Sequence, residues 1–236
     1  MPPIIHSDKE AARVRAVYDR RASGLPKNIY SYFNDGNLFL LQQRERKVLK
    51  LLERYALTPL TEKSILEVGC GNGFWLREFV KWGARPVDLA GIDLLSERVA
   101  VARNLCPPEV ALSCANAAQL PFEDGSFDIV MQSTLFTLIT DQQVRQRAAS
   151  EMLRVVKQDG VIIWYDYFVN PRNRDAHPVR KKEIRQLFAG CRVDLFRTTL
   201  APPVARILAP YSWLACTLLS QIPWLCLHYF GIIRRH

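Results

Sequence analysis

No Cys-x-x-Cys pair occurs among the six cysteines, which stand at positions 70, 106, 114, 191, 216 and 226. That argues against a zinc site or a paired-thiol framework, and no metal is expected. Scattered cysteines in a chain of this composition read as reduced thiols in a cytoplasmic protein. The first residues, Met1-Pro2-Pro3-Ile4-Ile5-His6-Ser7-Asp8, lack the basic-then-apolar order of a secretory signal. The formal charge is +9, but no single block carries it: the cations spread over Arg13–Arg21, Arg44–Lys50, Arg172–Arg185 and Arg234-Arg235. Such spreading reads as solvated helix faces, although the balance also permits nucleic acid, an anionic membrane face or an acidic substrate. From Ile207 to Ile233 there is no Asp, Glu, Lys or Arg. A membrane span needs about 20 apolar residues in one helix, and Pro210 and Pro223 bracket something shorter.

What is present is a chain of 236 residues, 49% of them hydrophobic, enough for one α/β domain with additions. Its centre is Ser64-Ile-Leu-Glu67-Val-Gly69-Cys70-Gly71-Asn-Gly73-Phe-Trp75, an apolar strand running into glycines and then a helical pattern. Strand, glycine turn and helix form a ligand site at the carboxyl edge of an α/β sheet, where absent Cβ atoms let a ligand lie on the backbone. The spacing is not the G-x-G-x-x-G of dinucleotide folds.

Residues 1–62 read as a helical extension, with Ala11–Tyr18 and Leu38–Tyr55 the stronger segments. Between them Gly24–Gly36 is a turn-rich connector. Its aromatic residues either pack this prefix on the sheet or form a lid, with Tyr18, Tyr30 or Tyr32 reaching the site. Pro86–Asp93 reads as a second strand ending in an acid, at the βαβ distance where a carboxylate reaches a ribose. Ser96 is expected to cap the helix Glu97–Leu105. Val110–Cys114 and Phe127–Gln132 follow as strands three and four, then a helix at Asp141–Lys157, and Asp159-Gly160 turning into a fifth strand, Val161–Tyr167. This alternation implies a mostly parallel, doubly covered sheet.

Glu67-x-Gly69-x-Gly71-x-Gly73, Gly91-Ile-Asp93-Leu94, Leu120-Pro-Phe-Glu-Asp-Gly-Ser-Phe-Asp128 and Glu151–Gly160 stand in an order that resembles class I S-adenosylmethionine (SAM) methyltransferases, of the type-11 or ubiquinone-methyltransferase-like group. The resemblance covers about Leu60 to Tyr167. It implies a Rossmann-like seven-stranded sheet with an antiparallel last strand, and SAM as cofactor. Glu67, Gly69 and Gly71 would hold the methionine end, with Cys70 and Gly73 beside them, and Asp93 with Leu94 the ribose. Asn116-Ala117 would read the adenine, and Gln132 would stand nearby. The group usually has Asp where this chain has Asn116, which removes charge assistance from that contact.

In open α/β sheets the loops after strand ends face the ligand. Asp166, before the connector Asn170–Pro178, and His177, within it, are therefore candidates for a general base. Their plainer occupations are satisfying loop amides and sitting in solvent. Phe136, Tyr165 and Trp213 join Tyr18, Tyr30 and Tyr32 as candidate acceptor contacts. Val179–Phe188 reads as a basic helix, Cys191–Leu200 as a sixth strand, and His228-Tyr-Phe-Gly-Ile-Ile-Arg-Arg as a last strand at the sheet edge. The apolar connector 201–227 reads as a wall of the substrate pocket; peripheral membrane contact and a homodimer face are the alternatives, and Arg206, Arg234 and Arg235 keep the membrane option open. Its Ala201-Pro-Pro-Val-Ala-Arg-Ile-Leu-Ala-Pro stretch, with Trp-Tyr-Asp and Asn-Pro-Arg-Asn, is similar to bacterial methyltransferases of polysaccharide or secondary-metabolite assembly.

Together these readings give methyl transfer from SAM to oxygen or nitrogen of a small organic acceptor. An RNA acceptor is the first rival, weakened by the absence of an Asn-Pro-Pro-Tyr-like motif at Gln132-Ser133-Thr134-Leu135 and of a basic-aromatic stripe. A SAM-binding accessory subunit without turnover is the second.

Overall fold

The computed structural model describes residues 5–24, 26, 28–169 and 177–236. Most of the Asn170–Pro178 connector thus lies outside the described residues. Two helices, α1 (Ile5–Gly24) and α2 (Asp35–Arg54), precede the sheet. α2 begins where the Asn34 side chain accepts the Asn37 amide, and carries Asp35 in its first turn and Arg54 in its last, both favourable to the helix dipole. Its apolar stripe buries Val48, Leu51 and Leu52 against the sheet.

Alternation then sets in: β1 (Ile65–Val68), α3 (Phe74–Lys81), β2 (Leu89–Asp93), α4 (Ser96–Leu105), β3 (Ala111–Cys114), β4 (Phe127–Ser133), α5 (Gln142–Val155), β5 (Val156–Tyr167), α6 (Lys181–Leu187) and β6 (Cys191–Leu200). Two short helices, α7 (Pro202–Leu208) and α8 (Trp213–Leu219), lead into β7 (Cys226–Arg235). The seven strands lie in the order β3-β2-β1-β4-β5-β7-β6. The first five pair in parallel, and β7 runs antiparallel to both β5 and β6. All four residues of β1 are buried, as expected of a central strand covered on both faces.

The strand period of two divides the core. Leu66, Val68, Val130, Ile162 and Trp164 pack with Met152 of α5 and Ile184 of α6. Ile65, Met131, Ile163, Phe230 and Ile232 pack on the other face with Trp75, Leu76 and Phe79 of α3 and the stripe of α2. A third cluster joins Phe39 and Leu40 of α2 to Leu200, Ala205, Ala209 and Cys216. The apolar connector therefore folds back on α2 and the end of β6.

Several boundaries differ from the sequence expectation. Pro86–Asp88 forms a 3-10 turn, so β2 starts only at Leu89. Ser96 lies inside α4 and does not cap it; Leu95 occupies the cap without a side-chain bond. Asp159-Gly160 is no turn: α5 passes directly into β5 at Val156, with an irregularity in the pairing between Phe127 and Ile129. β7 is not at the edge, because β6 pairs outside it. Among the described residues no helix is long and apolar enough to cross a membrane.

Candidate functional site

The carboxyl ends of β1, β2 and β4 open onto a cavity of about 690 Å³. Its floor is the glycine turn, tied to β2 by the Gly69 and Cys70 amides, which both donate to the Ile92 carbonyl at 2.8 Å. Gly71 and Gly73 have φ of +53° and +70°, where a side chain is strained. A Cβ on Gly71 would stand 2.3 Å from Nη2 of Arg98, and one on Gly73 would stand 2.5 Å from Sγ of Cys106.

Two carboxylates face this turn. Asp93, at the end of β2, accepts the Gly71 amide at 2.8 Å through Oδ2 and the Leu95 amide at 3.0 Å through Oδ1. It thereby locks the turn to the strand while keeping lone pairs for a ligand. Glu67 is almost fully buried, yet its Oε2 has no hydrogen-bond partner. Burial, and then the Asp93 charge, push the Glu67 carboxyl well above the ordinary range, although the Leu76 amide and the Arg77 and Arg98 charges oppose the rise. A buried acid with an unmet acceptor is the counterpart of an ammonium group. Burial likewise raises the Cys70 thiol, which stays protonated and unreactive.

Asn116 and Ala117 line the same cavity beyond β3. The Asn116 Oδ1 accepts the Ala118 amide at 2.9 Å, so the side chain is held in a turn of its own making. Leu94 also lines the wall.

The roof comes from the N-terminal helices. The Arg15 guanidinium of α1 meets Glu97 of α4 at 2.7 Å, and Arg13 donates to the Leu138 carbonyl. The Arg98 guanidinium lies 4.1 Å from the centre of the Tyr18 ring, above the glycine turn. Tyr18, Tyr30 and Tyr32 all line the cavity, as do Asn37, Leu41 and Arg44 from one face of α2. Arg44 stands 5.9 Å from the ring centres of Phe74 and Trp75 and 5.7 Å from that of Tyr165. Its Nε is buried with no hydrogen-bond partner among the described residues.

Not every candidate from the sequence meets this cavity. Gly73 caps α3 from below the lining. Gln132 is wholly buried, its Oε1 accepting the Leu135 amide at 3.1 Å, and so shapes the loop after β4 from behind. Phe136 stacks against Trp164 in the core, and Trp213 packs edge-on to Phe39 at 5.7 Å. Tyr165 is buried, with its hydroxyl 3.0 Å from that of Thr199. Asp166 points to the opposite face of β5 from Tyr165, where the Thr137 and Tyr167 amides occupy its oxygens at 3.1 and 2.8 Å. Burial raises that carboxyl to about 7 against the pull of those amides and of Arg145. The exposed His177 donates its backbone amide to the Thr137 carbonyl, on the same loop. Neither Asp166 nor His177 lines the cavity.

The residues missed from sequence are Arg44, Asn37, Arg98 and Thr134. Asn37, Leu41, Arg44 and Val48 recur at helical spacing, so the two polar residues interrupt an otherwise apolar stripe, and that was the available signal. Thr134 gave none. It lines the cavity at φ +59°, an outlier for a β-branched residue, held by donating its amide to the Tyr165 carbonyl at 2.7 Å.

Residues 65–160 match a family model described as a methyltransferase domain. A 2-methyl-6-phytyl-1,4-hydroquinone methyltransferase from Synechocystis is 35% identical over 130 residues, covering 52% of this chain and 38% of the relative. A ubiquinone/menaquinone biosynthesis C-methyltransferase from Campylobacter jejuni is 27% identical over 149 residues, covering 61% of this chain and 56% of the relative. The match thus spans about half the length of these relatives, or less. In solved structures, the Haemonchus contortus phosphoethanolamine N-methyltransferase 1, in complex with phosphoethanolamine and S-adenosylhomocysteine, shares the fold. There the TM-score is 0.63 at 14% identity, over 98% of this chain and 50% of that one. The glycine cradle, the unmet acceptor of Glu67 and the acid ending β2 suit the amino-acid end, ammonium and ribose of one ligand, SAM, and residues 65–160 carry a methyltransferase domain of the class I SAM-dependent, type-11 kind.

Proposed function

We propose that this protein transfers the methyl group of SAM to a small organic acceptor, at oxygen or nitrogen. When bound, SAM supplies an electrophilic methyl group on a positively charged sulfur. Glu67 would receive its ammonium group, Asp93 its ribose hydroxyls, and Asn116 with Ala117 its adenine. The observation that carries the acceptor reading is the other end of the same cavity. Tyr30, Tyr32, Phe74 and Trp75 give it an apolar, aromatic wall, and Arg44 is a cation there among rings. A cation in such a place holds an oxyanion and lowers the pKa of an acidic hydroxyl, so that no separate base is required. The chain's share of the reaction is then alignment and exclusion of water, and alignment contributes roughly 7–11 kcal/mol.

The printed names of the two curated relatives favour a second reading, methylation at a ring carbon of a hydroquinone-like acceptor, which Arg44 would hold as its phenolate. Incubation with methyl-labelled SAM and a panel of phenols, carboxylates and amines tests both, with NMR of the product locating the methyl group. Label on oxygen or nitrogen supports the proposal, and label on carbon the second reading. Label that vanishes with ribonuclease, or S-adenosylhomocysteine binding with no transfer to any acceptor, would instead favour RNA or an accessory subunit.

A further inference from the structure

The connector between β6 and β7 is built with two sides. Inward, Ala205, Ala209 and Cys216 pack on Phe39, Leu40 and Leu200, with Leu208, Trp213, Leu219 and Leu225 closing around them. Outward stand Ile207 at 67% exposure, Tyr211 at 87%, Leu214 at 70%, Leu218 at 62% and Trp224 at 82%. Leu214 and Leu218 share one face of α8, four residues apart. The connector's own core is satisfied without these side chains, so folding does not account for their character. Single exposed apolar residues are ordinary; five from one segment of about 20 residues mark an interaction surface.

We propose that this face docks on an anionic lipid bilayer. Charge decides for lipid over a protein partner or a second copy. No Asp or Glu occurs anywhere after Asp194, so the segment offers an anionic surface nothing to repel it. A cation stands on this side: the Arg197 guanidinium lies 5.6 Å from the centre of the exposed Trp224 ring. Exposed Tyr and Trp, short apolar helices and a basic residue beside them are the composition of an interfacial anchor.

The anchor also abuts the acceptor end of the cavity. The backbone of Arg206 on α7 lies so close to Gly36 that a Cβ there would come within 2.5 Å of the Arg206 Cα. The next residue, Asn37, lines the cavity, and the exposed Tyr30 and Tyr32 form its rim. Docking by this face therefore brings the rim to the bilayer, where an amphiphilic molecule can pass from lipid into the aromatic end.

The test is co-sedimentation of the full chain with vesicles of phosphatidylglycerol and phosphatidylcholine, or of phosphatidylcholine alone, at low and high salt, with oligomeric state measured in parallel. We expect pelleting with the anionic vesicles that weakens with salt. The Leu214→Ser/Leu218→Ser/Trp224→Ser variant should lose about tenfold or more in vesicle affinity, with S-adenosylhomocysteine binding intact as the check on folding. Val87→Ser, equally exposed but on the 3-10 turn before β2, should change nothing. Protein remaining in the supernatant, equal binding to phosphatidylcholine alone, or a triple variant that pellets like the parent would overturn the proposal. So would a parent dimer that the triple variant converts to monomer with no vesicle binding, which would assign the face to a second copy. None of these readouts depends on methyl transfer, so the docking face stands or falls apart from the acceptor.

Discussion

Glu67→Gln separates what the site does for its ligand from what it does for the fold, because the two effects have opposite signs. In the ligand-free protein Glu67 is buried, its Oε2 has no partner, and its carboxyl is raised by burial and by Asp93. An acid whose folded pKa exceeds its unfolded value contributes stability that is full below the unfolded pKa, here near 4.5, and lost as pH rises toward the folded one. Gln never ionises, so the variant should melt at or above the parent's temperature, with the gap widening toward alkaline pH. Binding runs the other way. An ammonium against the ionised carboxyl is a charge-assisted bond of roughly 1.5–3 kcal/mol, so the variant should bind S-adenosylhomocysteine about 10- to 100-fold more weakly. Below the raised pKa, the parent must also release a proton on binding. Isothermal titration in two buffers of different ionisation enthalpy measures that proton, and the variant should release none from this site. Equal affinity of parent and variant, with no proton released by either, would refute the assignment of Glu67 to the ammonium.

If Asp93 holds the ribose as proposed, Asp93→Ala removes two hydrogen bonds and should weaken S-adenosylhomocysteine binding by about 100-fold or more. It also strips the Gly71 and Leu95 amides of their acceptor, and should lower the melting temperature; a lower melting point with unchanged affinity would leave Asp93 as a turn staple only. Arg44→Gln should raise the acceptor's KM by about tenfold through loss of a charged hydrogen bond, while cofactor affinity holds; the reverse pattern in titration and steady-state kinetics would move Arg44 to the cofactor. Asp166→Asn addresses pH. With its carboxyl at about 7 when folded, the parent should lose stability as pH rises from 4 toward about 7. Melting curves of the variant should lack that slope, and methyl transfer should survive. A variant that folds yet has lost turnover would return Asp166 to the chemistry.

The parts legible from sequence share one property: their geometry is local. Strand, turn and helix from Ile65 to Lys81 form a contiguous unit, and its glycine spacing states where backbone must be bare. Asp93 follows from its place at the end of the next strand, one helix and one strand after the turn. Where the reading slipped, a residue's surroundings came from elsewhere in the chain. Asp166 stands near a strand end and so invited a catalytic role, but strand alternation turns it toward Thr137 and Arg145 while Tyr165 faces Arg44. The Asp159-Gly160 pair looked like a turn, yet Gly160 is buried in the sheet's pairing: a Cβ there would meet the carbonyl of Asp128 at 2.9 Å. Its glycine serves close strand approach, a use that the dipeptide does not disclose.

The same division separates the two ends of the cavity. The family match ends at residue 160 and begins at 65, so it contains Glu67, the glycine turn, Asp93 and Asn116, and contains neither α1, α2 nor the 201–225 connector. Tyr18, Tyr30, Tyr32, Asn37, Leu41 and Arg44 all come from the unmatched prefix, and α7 braces the N-terminus of α2 through the Gly36–Arg206 contact. The family model therefore carries information about the cofactor and none about the prefix residues at the acceptor end. The acceptor's chemistry has to be read from the packing on each other of two segments outside the family model, and there a cation held among aromatic rings is the most specific feature the chain offers.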